Sequence, residues 1–436
     1  MLRELCENLD VNADGHLTFA GVDTVELAKK YQTPLYVMDE DRIRRNCRTY
    51  RAAMTKYFGE GSFPAFASKA ASFKRLYEIM KEEGMGIDLV SPGEVYTAVK
   101  AGFPMERSFF HGNNKTDADI EYAMDVGVGH FVVDGSYELR AIQEIAARRG
   151  IRQKVLLRLT PGIDPHTFEA MNTGKVDSKF GSAIETGQAA ALVEEAVSLP
   201  NVELVGYHCH IGSQIFNEEG AVYLDAAQIM FSFAAEMYHK AGVKISILNL
   251  GGGFGVRYTE KDPYMDIEMN IQAISEKLRS LSEALNMPLP SVVMEPGRSI
   301  VADAGMTLYT VGTVKEIPGY KNYVSVDGGM ADNPRYALYG SAYTACLANR
   351  MDEPADFTCD LVGRCCESGD ILQPAVQLPR PNRGDIAAVL TTGAYNFSMS
   401  SNYNRLAKPP VVMLKDGADY LAVRRESFEH LTANDV

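Results

Sequence analysis

The chain has 436 residues, 46% of them apolar and 23% charged, and its 43 Lys and Arg stand against 57 Asp and Glu for a formal charge of −14. At roughly 150 residues per domain, there is room for two or three domains or for one large barrel with an appendage. The ordinary composition excludes wholesale disorder, and the acidity excludes the chain-wide basic footprint of a nucleic-acid or anionic-membrane binder, though not a local cationic pocket. No apolar run approaches the ~20 residues of a membrane span. The stretch Met1–Asp14 is polar and acidic, unlike a signal or transit peptide. The seven cysteines, Cys6, Cys47, Cys209, Cys346, Cys359, Cys365 and Cys366, include no CxxC pair and are odd in number. That favours reduced thiols in a cytoplasmic protein over a disulfide framework.

The first strand-like segments are Leu17–Ala20 and Pro34–Met38. From about Pro64 to Gly297 one pattern then repeats: an apolar run, a polar or glycine-containing turn, and a helical stretch. The runs are Pro64–Ala67, Ile87–Val90, Ser108–Phe110, Phe131–Val133, Val155–Leu159, Leu204–Cys209, Ile247–Leu250 and Val292–Met294. Short apolar runs alternating with helices predict parallel strands buried on both faces. Phe73–Gly84 shows the helical half, with Phe73, Leu76, Tyr77 and Met80 on one face and Gly84 closing the helix. Eight such units match a (β/α)8 TIM-type barrel, typically ~250 residues, better than an open doubly wound sheet, which has fewer strands and an early glycine fingerprint.

Beyond Asp303 strand follows strand: Met306–Ile317, Tyr323–Val326, Thr358–Gly363, Ile386–Leu390, Val411–Leu414 and Tyr420–Arg424. Turn residues between them predict a mainly antiparallel β domain, a barrel or sandwich, which the two N-terminal strands join. The expected division is a barrel over 40–302 and a β domain from 1–39 and 303–436. The tail from Glu426 is polar and reads as frayed.

In a barrel of this kind reactive groups sit at the C-terminal ends of the strands. Those ends read Ser68-Lys69-Ala70, Asp88, His111-Gly112-Asn113, Asp134, Arg158, His208-Cys209-His210, Gly251-Gly252-Gly253 and Glu295-Pro296-Gly297-Arg298. A full ring of polar ends implies a shared pocket. Lys69, just after an apolar strand, would be partly desolvated and suited to Schiff-base chemistry, unless it simply reaches solvent at a helix start. The Gly251–Gly255 run offers clustered N–H donors to a phosphate, without dinucleotide or Walker spacing; a flexible turn is the plainer reading. Glu295 needs a cationic partner, either a heterocyclic N–H⁺ or Arg298. His208 and His210 share one side of a strand, but no histidine-rich strand end complements them. No metal is expected; one imidazole stacking on a planar ligand is the preferred reading. Together these parts match the aldehyde, phosphate, ring nitrogen and flat face of pyridoxal 5'-phosphate.

The sequence resembles the alanine-racemase-type (fold type III) pyridoxal-phosphate decarboxylases, and within them the diaminopimelate decarboxylase family. The resemblance runs nearly end to end. It rests on Phe66–Ala70, Gly86–Glu94, His111–Lys115, Lys179-Phe180-Gly181, His208–Gln214, Gly251–Gly255 and Glu295–Arg298. In the second region it rests on Asp332-Asn333-Pro334-Arg335, Cys366–Asp370, Gly393-Ala394-Tyr395 and Ser398–Asn404.

The resemblance implies that Lys69 holds the cofactor covalently, that His210 stacks on its ring, and that Glu295 keeps its ring nitrogen protonated. Gly252, Gly253, Gly297 and Arg298 then lie around the phosphate with Ser213 and Tyr395 nearby, and Asp88 stands behind them. Cys366 is the favoured proton donor, with Lys69 as the alternative. The implied reaction converts meso-2,6-diaminopimelate at its D-centre to L-lysine and CO2, the last step of lysine biosynthesis, in a homodimer whose Cys366 and Glu367 reach the partner's cofactor.

Substrate choice also has a physical argument. Diaminopimelate carries both an ammonium and a carboxylate at its distal end. Arg335 and Arg298 can take the carboxylate, Glu367 the ammonium, and Tyr339 and Tyr395 add to the substrate site. Ornithine, lysine or arginine would leave Arg335 unpaired. The rival readings are a related decarboxylase of a D-amino acid or polyamine precursor, a metal-dependent barrel hydrolase built on His208 and His210, and an inactive homologue. Departures from the family pattern are Tyr336 after Pro334-Arg335, and Cys365, expected to face away in a strand beside Cys366.

Overall fold

Eight short strands pair in parallel, each with the next, and the last with the first. They are Phe63–Ala67, Gly86–Leu89, Ser108–Phe110, His130–Val133, Gln153–Thr160, Val202–His208, Ile247–Asn249 and Ser291–Met294. The computed structural model describes residues 5–163, 177–216 and 221–436. The expected (β/α)8 barrel is therefore present. Its strands read as apolar runs because both faces are covered: Ala65, Phe109, Val132, Leu156, Val205 and Val293 pack together as one buried cluster.

The intervening helices are amphipathic for the same reason. Lys74–Glu82 buries Leu76, Tyr77, Ile79 and Met80. Gly84 follows at φ +66°, with its N–H on the Lys81 carbonyl at 3.0 Å, so it ends the helix as its position predicts. Pro92 opens the next helix behind Ser91, whose hydroxyl accepts the Glu94 N–H at 3.3 Å. Among the described residues no helix is long and apolar enough to cross a membrane.

The chain divides by packing into two units. One, Asn46–Gly255 with Tyr264–Gly297, holds the barrel; the other is Met1–Arg45, Val256–Pro263 and Arg298–Val436. The second unit is built on the long strand Gly305–Ile317. Its first half pairs antiparallel with Leu35–Asp39 on one side and Ile386–Val389 on the other, and its second half with Lys321–Val326. Two parallel pairings, Lys321–Val326 with Phe357–Val362 and Leu35–Asp39 with Val411–Lys415, make the sheet mainly rather than wholly antiparallel. Leu35, Val37, Met306, Leu308, Ala388, Leu390, Val412 and Leu414 form its core.

Three expectations change here. Leu17–Phe19 does not enter this sheet; it is the middle strand of a separate three-stranded sheet with Leu9–Val11 and Val22–Asp23, although Leu17 and Phe19 pack into the same core. The strand Ile371–Leu378 was hidden by Pro374, which lacks the N–H a sheet interior needs. The structure absorbs that proline at an irregularity, with Ala375 at φ +52° and its N–H on Asp360 Oδ1 at 3.0 Å. The polar tail is tied down: Glu426 accepts from Asn402 Nδ2 at 2.6 Å and from the Lys408 N–H at 2.9 Å, and Ser427 caps the short helix Phe428–Thr432.

Candidate active site

Glu295 follows the eighth barrel strand and is buried. Its Oε1 accepts from Asn249 Nδ2 at 2.6 Å and lies 2.9 Å from His111 Nε2; its Oε2 accepts from His208 Nε2 at 2.9 Å. Asn249 and His208 end the seventh and sixth strands, and His111 follows the third, so parallel register brings all three to one rim. Burial alone would raise the Glu295 carboxyl, but His111 and His208 more than offset it and hold the group well below its usual range. His208 moves the other way: burial lowers it to about 4, only partly opposed by Glu295, so near neutral pH it is an uncharged N–H donor. The donor atoms of His111, His208 and Glu295 lie within 4.8 Å of one another. His208 hydrogen-bonds to that carboxylate, whereas His111 Nε2 lies 2.9 Å from it without a hydrogen-bond partner.

Asp88 ends its strand buried, 3.7 Å from His111 Nε2. Burial raises its pKa, with His111 opposing and Glu295 adding to the rise. Arg158 lies 4.0 Å from Asp134 and over the Phe180 ring at 4.4 Å, while Asp134 also accepts the Gly181 N–H at 2.9 Å. Thus the Lys179-Phe180-Gly181 motif packs onto the ends of the fourth and fifth strands.

Lys69 lies in a single 3-10 turn, Ser68–Ala70, directly after the first strand. Ser68 and Ala70 are buried, but Lys69 is exposed. The expected desolvation of its amine does not come from the chain around it, since the residue is exposed. The Lys69 charge still acts on Asp88 and His210.

His210 is half-buried, and its Nδ1 accepts the Gly252 N–H at 3.2 Å. Burial pushes its pKa well below the ordinary value, with the Lys69 and Arg158 charges adding to this. A neutral ring whose Nδ1 accepts carries its hydrogen on Nε2. The glycine run is not a loose turn. A Cβ on Gly252 would sit 2.1 Å from the Glu295 carbonyl oxygen, and Gly253 stands at φ +106° with only 2.6 Å from its Cβ position to the Gly212 oxygen. Ile215 donates its N–H to Gly253 O at 2.9 Å and accepts from the Gly255 N–H at 2.9 Å, which fixes the loop bearing Ser213 beside the run. Gly297 packs against Ala67, 2.9 Å from its Cβ position to the Ala67 Cβ.

The second unit holds a cationic and aromatic cluster. Arg298 is buried, and its Nη1 donates to Tyr258 Oη at 2.6 Å. Its guanidinium carbon lies 5.0 Å from the Tyr395 ring centroid; that of Arg335 lies 5.0 Å from the same ring and 4.5 Å from Tyr339. Arg335 is buried, its Nε has no hydrogen-bond partner, and no carboxylate pairs with it among the described residues. Asn333, two residues earlier, is also buried with both amide atoms unpartnered. Asp332 anchors the segment by accepting from Tyr309 Oη at 2.5 Å and from the Gly329 N–H at 3.0 Å.

Cys366 and Glu367 stand elsewhere in this unit, exposed on the turn between Phe357–Val362 and Ile371–Leu378. Cys365 is in that turn too, not in a strand, because Asp370 curls back to accept its N–H at 2.7 Å and that of Met330 at 2.6 Å. The Cys366 N–H donates to Asn404 Oδ1 at 2.7 Å, and Glu367 Oε1 accepts the Gly369 N–H at 3.2 Å. Three contributors carried little signal in the sequence. Asn249 lies inside the apolar run Ile247–Leu250, Tyr258 falls between the barrel segments, and His111 showed only as one polar strand end among several and as the start of the stretch His111–Lys115.

A family model described as the pyridoxal binding domain of pyridoxal-dependent decarboxylases matches residues 40–302. The chain is 44% identical over 425 residues to diaminopimelate decarboxylase of Bacillus subtilis (strain 168), covering 98% of this chain and 96% of that protein. It is 44% identical over 426 residues to the diaminopimelate decarboxylase of Halalkalibacterium halodurans, with 98% and 96% covered. The crystal structure of diaminopimelate decarboxylase from M. jannaschii in co-complex with L-lysine matches with a TM-score of 0.89 at 31% identity, covering 99% of this chain and 98% of that one. The chain belongs to the diaminopimelate decarboxylase family of pyridoxal-dependent decarboxylases.

Proposed function

We propose that the chain decarboxylates meso-2,6-diaminopimelate at its D-centre to L-lysine and CO2, with pyridoxal phosphate as cofactor. The observation that carries this reading is the Glu295 carboxylate. It is buried, held ionised, and hydrogen-bonded to Asn249 and His208, with His111 Nε2 2.9 Å from its Oε1. A carboxylate offers about four acceptor positions, so two donors leave capacity for a heterocyclic N–H⁺. The residues therefore fit the cofactor: an acid for the ring nitrogen, a lysine amine at the same barrel rim, and a tightly turned glycine run for the phosphate.

Pyridoxal phosphate supplies an aldehyde that condenses with amines and a ring that takes up the electron pair left when a carboxylate departs as CO2. In this reading Lys69 is the amine that holds the cofactor and is displaced by the substrate amine. His210, neutral and fixed by Gly252, presents its ring face. Gly252, Gly253, Ser213, Gly297, Arg298 and Tyr395 bind the phosphate, and Asp88 stands behind the acid. Cys366 is the favoured donor of the proton that replaces the carboxylate.

Arg335 supports the choice of substrate. A buried guanidinium with an unpartnered Nε is costly, and a distal carboxylate offsets that cost bidentately. Glu367 takes the distal ammonium, with Arg298, Tyr339 and Tyr395 completing the substrate site. L-Lysine, the product of this reaction, is the ligand named with the M. jannaschii enzyme.

The wider reading assigns cofactor binding to segment 40–302, and substrate and dimer contacts to segments 1–39 and 303–436. It makes the protein a cytoplasmic homodimer. Exposure of Cys366 and Glu367 on one turn suits groups that act on a partner's cofactor. Mixing Lys69→Ala and Cys366→Ala subunits tests this, since only shared sites restore activity to two inactive proteins. The reaction is tested by CO2 release and product identity with meso-diaminopimelate against ornithine, lysine and arginine. Turnover of those three without turnover of diaminopimelate overturns the substrate assignment. Lys69→Ala is expected to lose the lysine-bound chromophore and the decarboxylation together.

A further inference from the structure

Val256–Pro263 lies between two barrel segments in the chain, yet by packing it belongs to the second unit. It carries Tyr258, which is buried and whose Oη accepts from Arg298 Nη1 at 2.6 Å. The Arg298 guanidinium carbon lies 5.6 Å from the Tyr258 ring centroid and 5.0 Å from that of Tyr395. The Tyr258 ring meets Tyr343 edge-on, with centroids 5.2 Å apart and planes at 89°. The Tyr258 backbone is held at both of its polar groups. Its N–H donates to Asp262 Oδ2 at 2.9 Å, which also accepts the Thr259 N–H at 2.8 Å, and its carbonyl accepts from Thr344 Oγ1 at 2.9 Å. The segment is part of no helix or strand, so these bonds, and not a repeating ladder, fix where the phenol stands.

A buried guanidinium is costly unless its donors are paired. A carboxylate partner would pair them and cancel the charge, whereas a phenol is a neutral acceptor and leaves the charge in place. A guanidinium is a planar fork, and it grips an oxyanion well only when its plane is fixed. We propose that Tyr258 is a positioning residue: it holds the Arg298 fork in one orientation, without cancelling its charge, for an oxyanion. That oxyanion is the phosphate of the cofactor or the distal carboxylate of the substrate. The inference rests on the decarboxylase reading, in which Arg298 meets those two groups, and adds to it the residue that sets how Arg298 meets them.

The test measures binding, which needs no turnover. Pyridoxal phosphate titrated into the full chain stripped of cofactor, and followed by absorbance, reads the phosphate. L-Lysine titrated into the holoenzyme reads the carboxylate, because the product keeps the distal carboxylate of diaminopimelate. Cadaverine, the same diamine without that group, is the control. Tyr258→Phe keeps the ring and removes the acceptor oxygen. The expected result is a Kd for pyridoxal phosphate, L-lysine or both raised about tenfold or more, the worth of a hydrogen bond to a charged group, with cadaverine changed by less than about twofold. In an Arg298→Met background the same substitution is expected to cost less than about twofold, because Tyr258 then has no guanidinium to hold. Wild-type constants in Tyr258→Phe overturn the proposal. So does a loss of undiminished size in the Arg298→Met background, the mark of a packing role, or a cadaverine loss as large as that of L-lysine with pyridoxal phosphate binding unchanged. If Tyr258→Phe fails to fold, Thr344→Val replaces it: it frees the Tyr258 carbonyl, a loss of about threefold or more in the same constants is expected, and no loss overturns the proposal. A wild-type protein that binds neither pyridoxal phosphate nor L-lysine ends the decarboxylase reading and this inference together, whereas wild-type binding left intact by Tyr258→Phe ends the inference alone.

Discussion

Gly252 donates its backbone N–H to Nδ1 of His210 at 3.2 Å, and so couples the glycine run after the seventh strand to the imidazole after the sixth. The contact does two things at once. It sets which ring nitrogen of His210 carries hydrogen, and it requires a residue without a side chain, since a Cβ at 252 would lie 2.1 Å from the Glu295 carbonyl oxygen.

Gly252→Ala is therefore expected to act through backbone displacement. The eighth-strand end must move, carrying Glu295 with it. Overpacking of this kind costs about 1–3 kcal/mol, and cofactor affinity is expected to fall by about tenfold or more because acid and imidazole shift together. Urea unfolding and retention of pyridoxal phosphate on dialysis measure the two effects. Wild-type cofactor retention in a destabilised variant would separate the glycine's packing role from the site.

Arg335 gives the sharpest test of the substrate. Removing a charge-assisted hydrogen-bonding group from a bound carboxylate costs about 1.5–3 kcal/mol, or roughly 10- to 150-fold in kcat/KM. Arg335→Ala is expected to lose that much with diaminopimelate, mostly through KM. Arg335→Lys is expected to recover little, because an ammonium lacks the planar fork that pairs bidentately and lies between Tyr339 and Tyr395. Steady-state kinetics with meso-diaminopimelate decide it; unchanged constants in Arg335→Ala would remove the distal-carboxylate argument.

The barrel was legible in the sequence because strands buried on both faces must be apolar throughout, and their polar ends then stand out as a ring. Glu295, Lys69 and His210 were singled out that way. The shell of Glu295 was not, because Asn249, His208 and His111 meet only through parallel register, which no local pattern encodes. Ile371–Leu378 escaped because Pro374 is a poor strand residue by itself; only the neighbouring Asp360 carboxylate, which takes the Ala375 N–H, makes the irregularity tolerable. Lys69 was singled out by position, but it stands exposed in the turn Ser68–Ala70 where burial was expected.

Lys115 and Glu138 form an ion pair with both side chains nearly wholly buried, 1% and 9% exposed. Removing one member of such a pair costs about 3–5 kcal/mol, whereas replacing both with apolar groups is often neutral. Lys115→Met is expected to destabilise by that amount, and Lys115→Met with Glu138→Leu to recover much of it. The sign with pH also follows. Burial pushes the Glu138 carboxyl up and Lys115 opposes this, so in the single variant it stands higher still. A raised folded pKa favours the fold below the unfolded value and loses that contribution as pH rises, so the deficit is expected to shrink in acid. Denaturant unfolding at two pH values measures both.

His208 supplies a pH dependence of the opposite kind. Burial lowers its folded pKa from 6.5 to about 4. The unfolded chain therefore binds a proton first as pH falls, and the stability His208 contributes is complete above about 6.5 and lost on the way down to about 4. His210 and His130 have depressed values as well, so the wild-type slope contains more than one proton. His208→Gln keeps an N–H for Glu295 Oε2 and removes one titrating ring. Its stability is expected to fall less steeply across that window, by up to about 1.4 kcal/mol per pH unit, the value of one proton. Glu295, held low by the same contact, titrates below its ordinary 4.5 and so leaves the upper part of the window to the histidines. Urea midpoints at half-unit pH steps resolve the slopes. An unchanged slope in His208→Gln would mean that His208 gains its proton in the folded state as readily as in the unfolded one, and that Glu295 is held by a charged imidazole instead of a neutral donor.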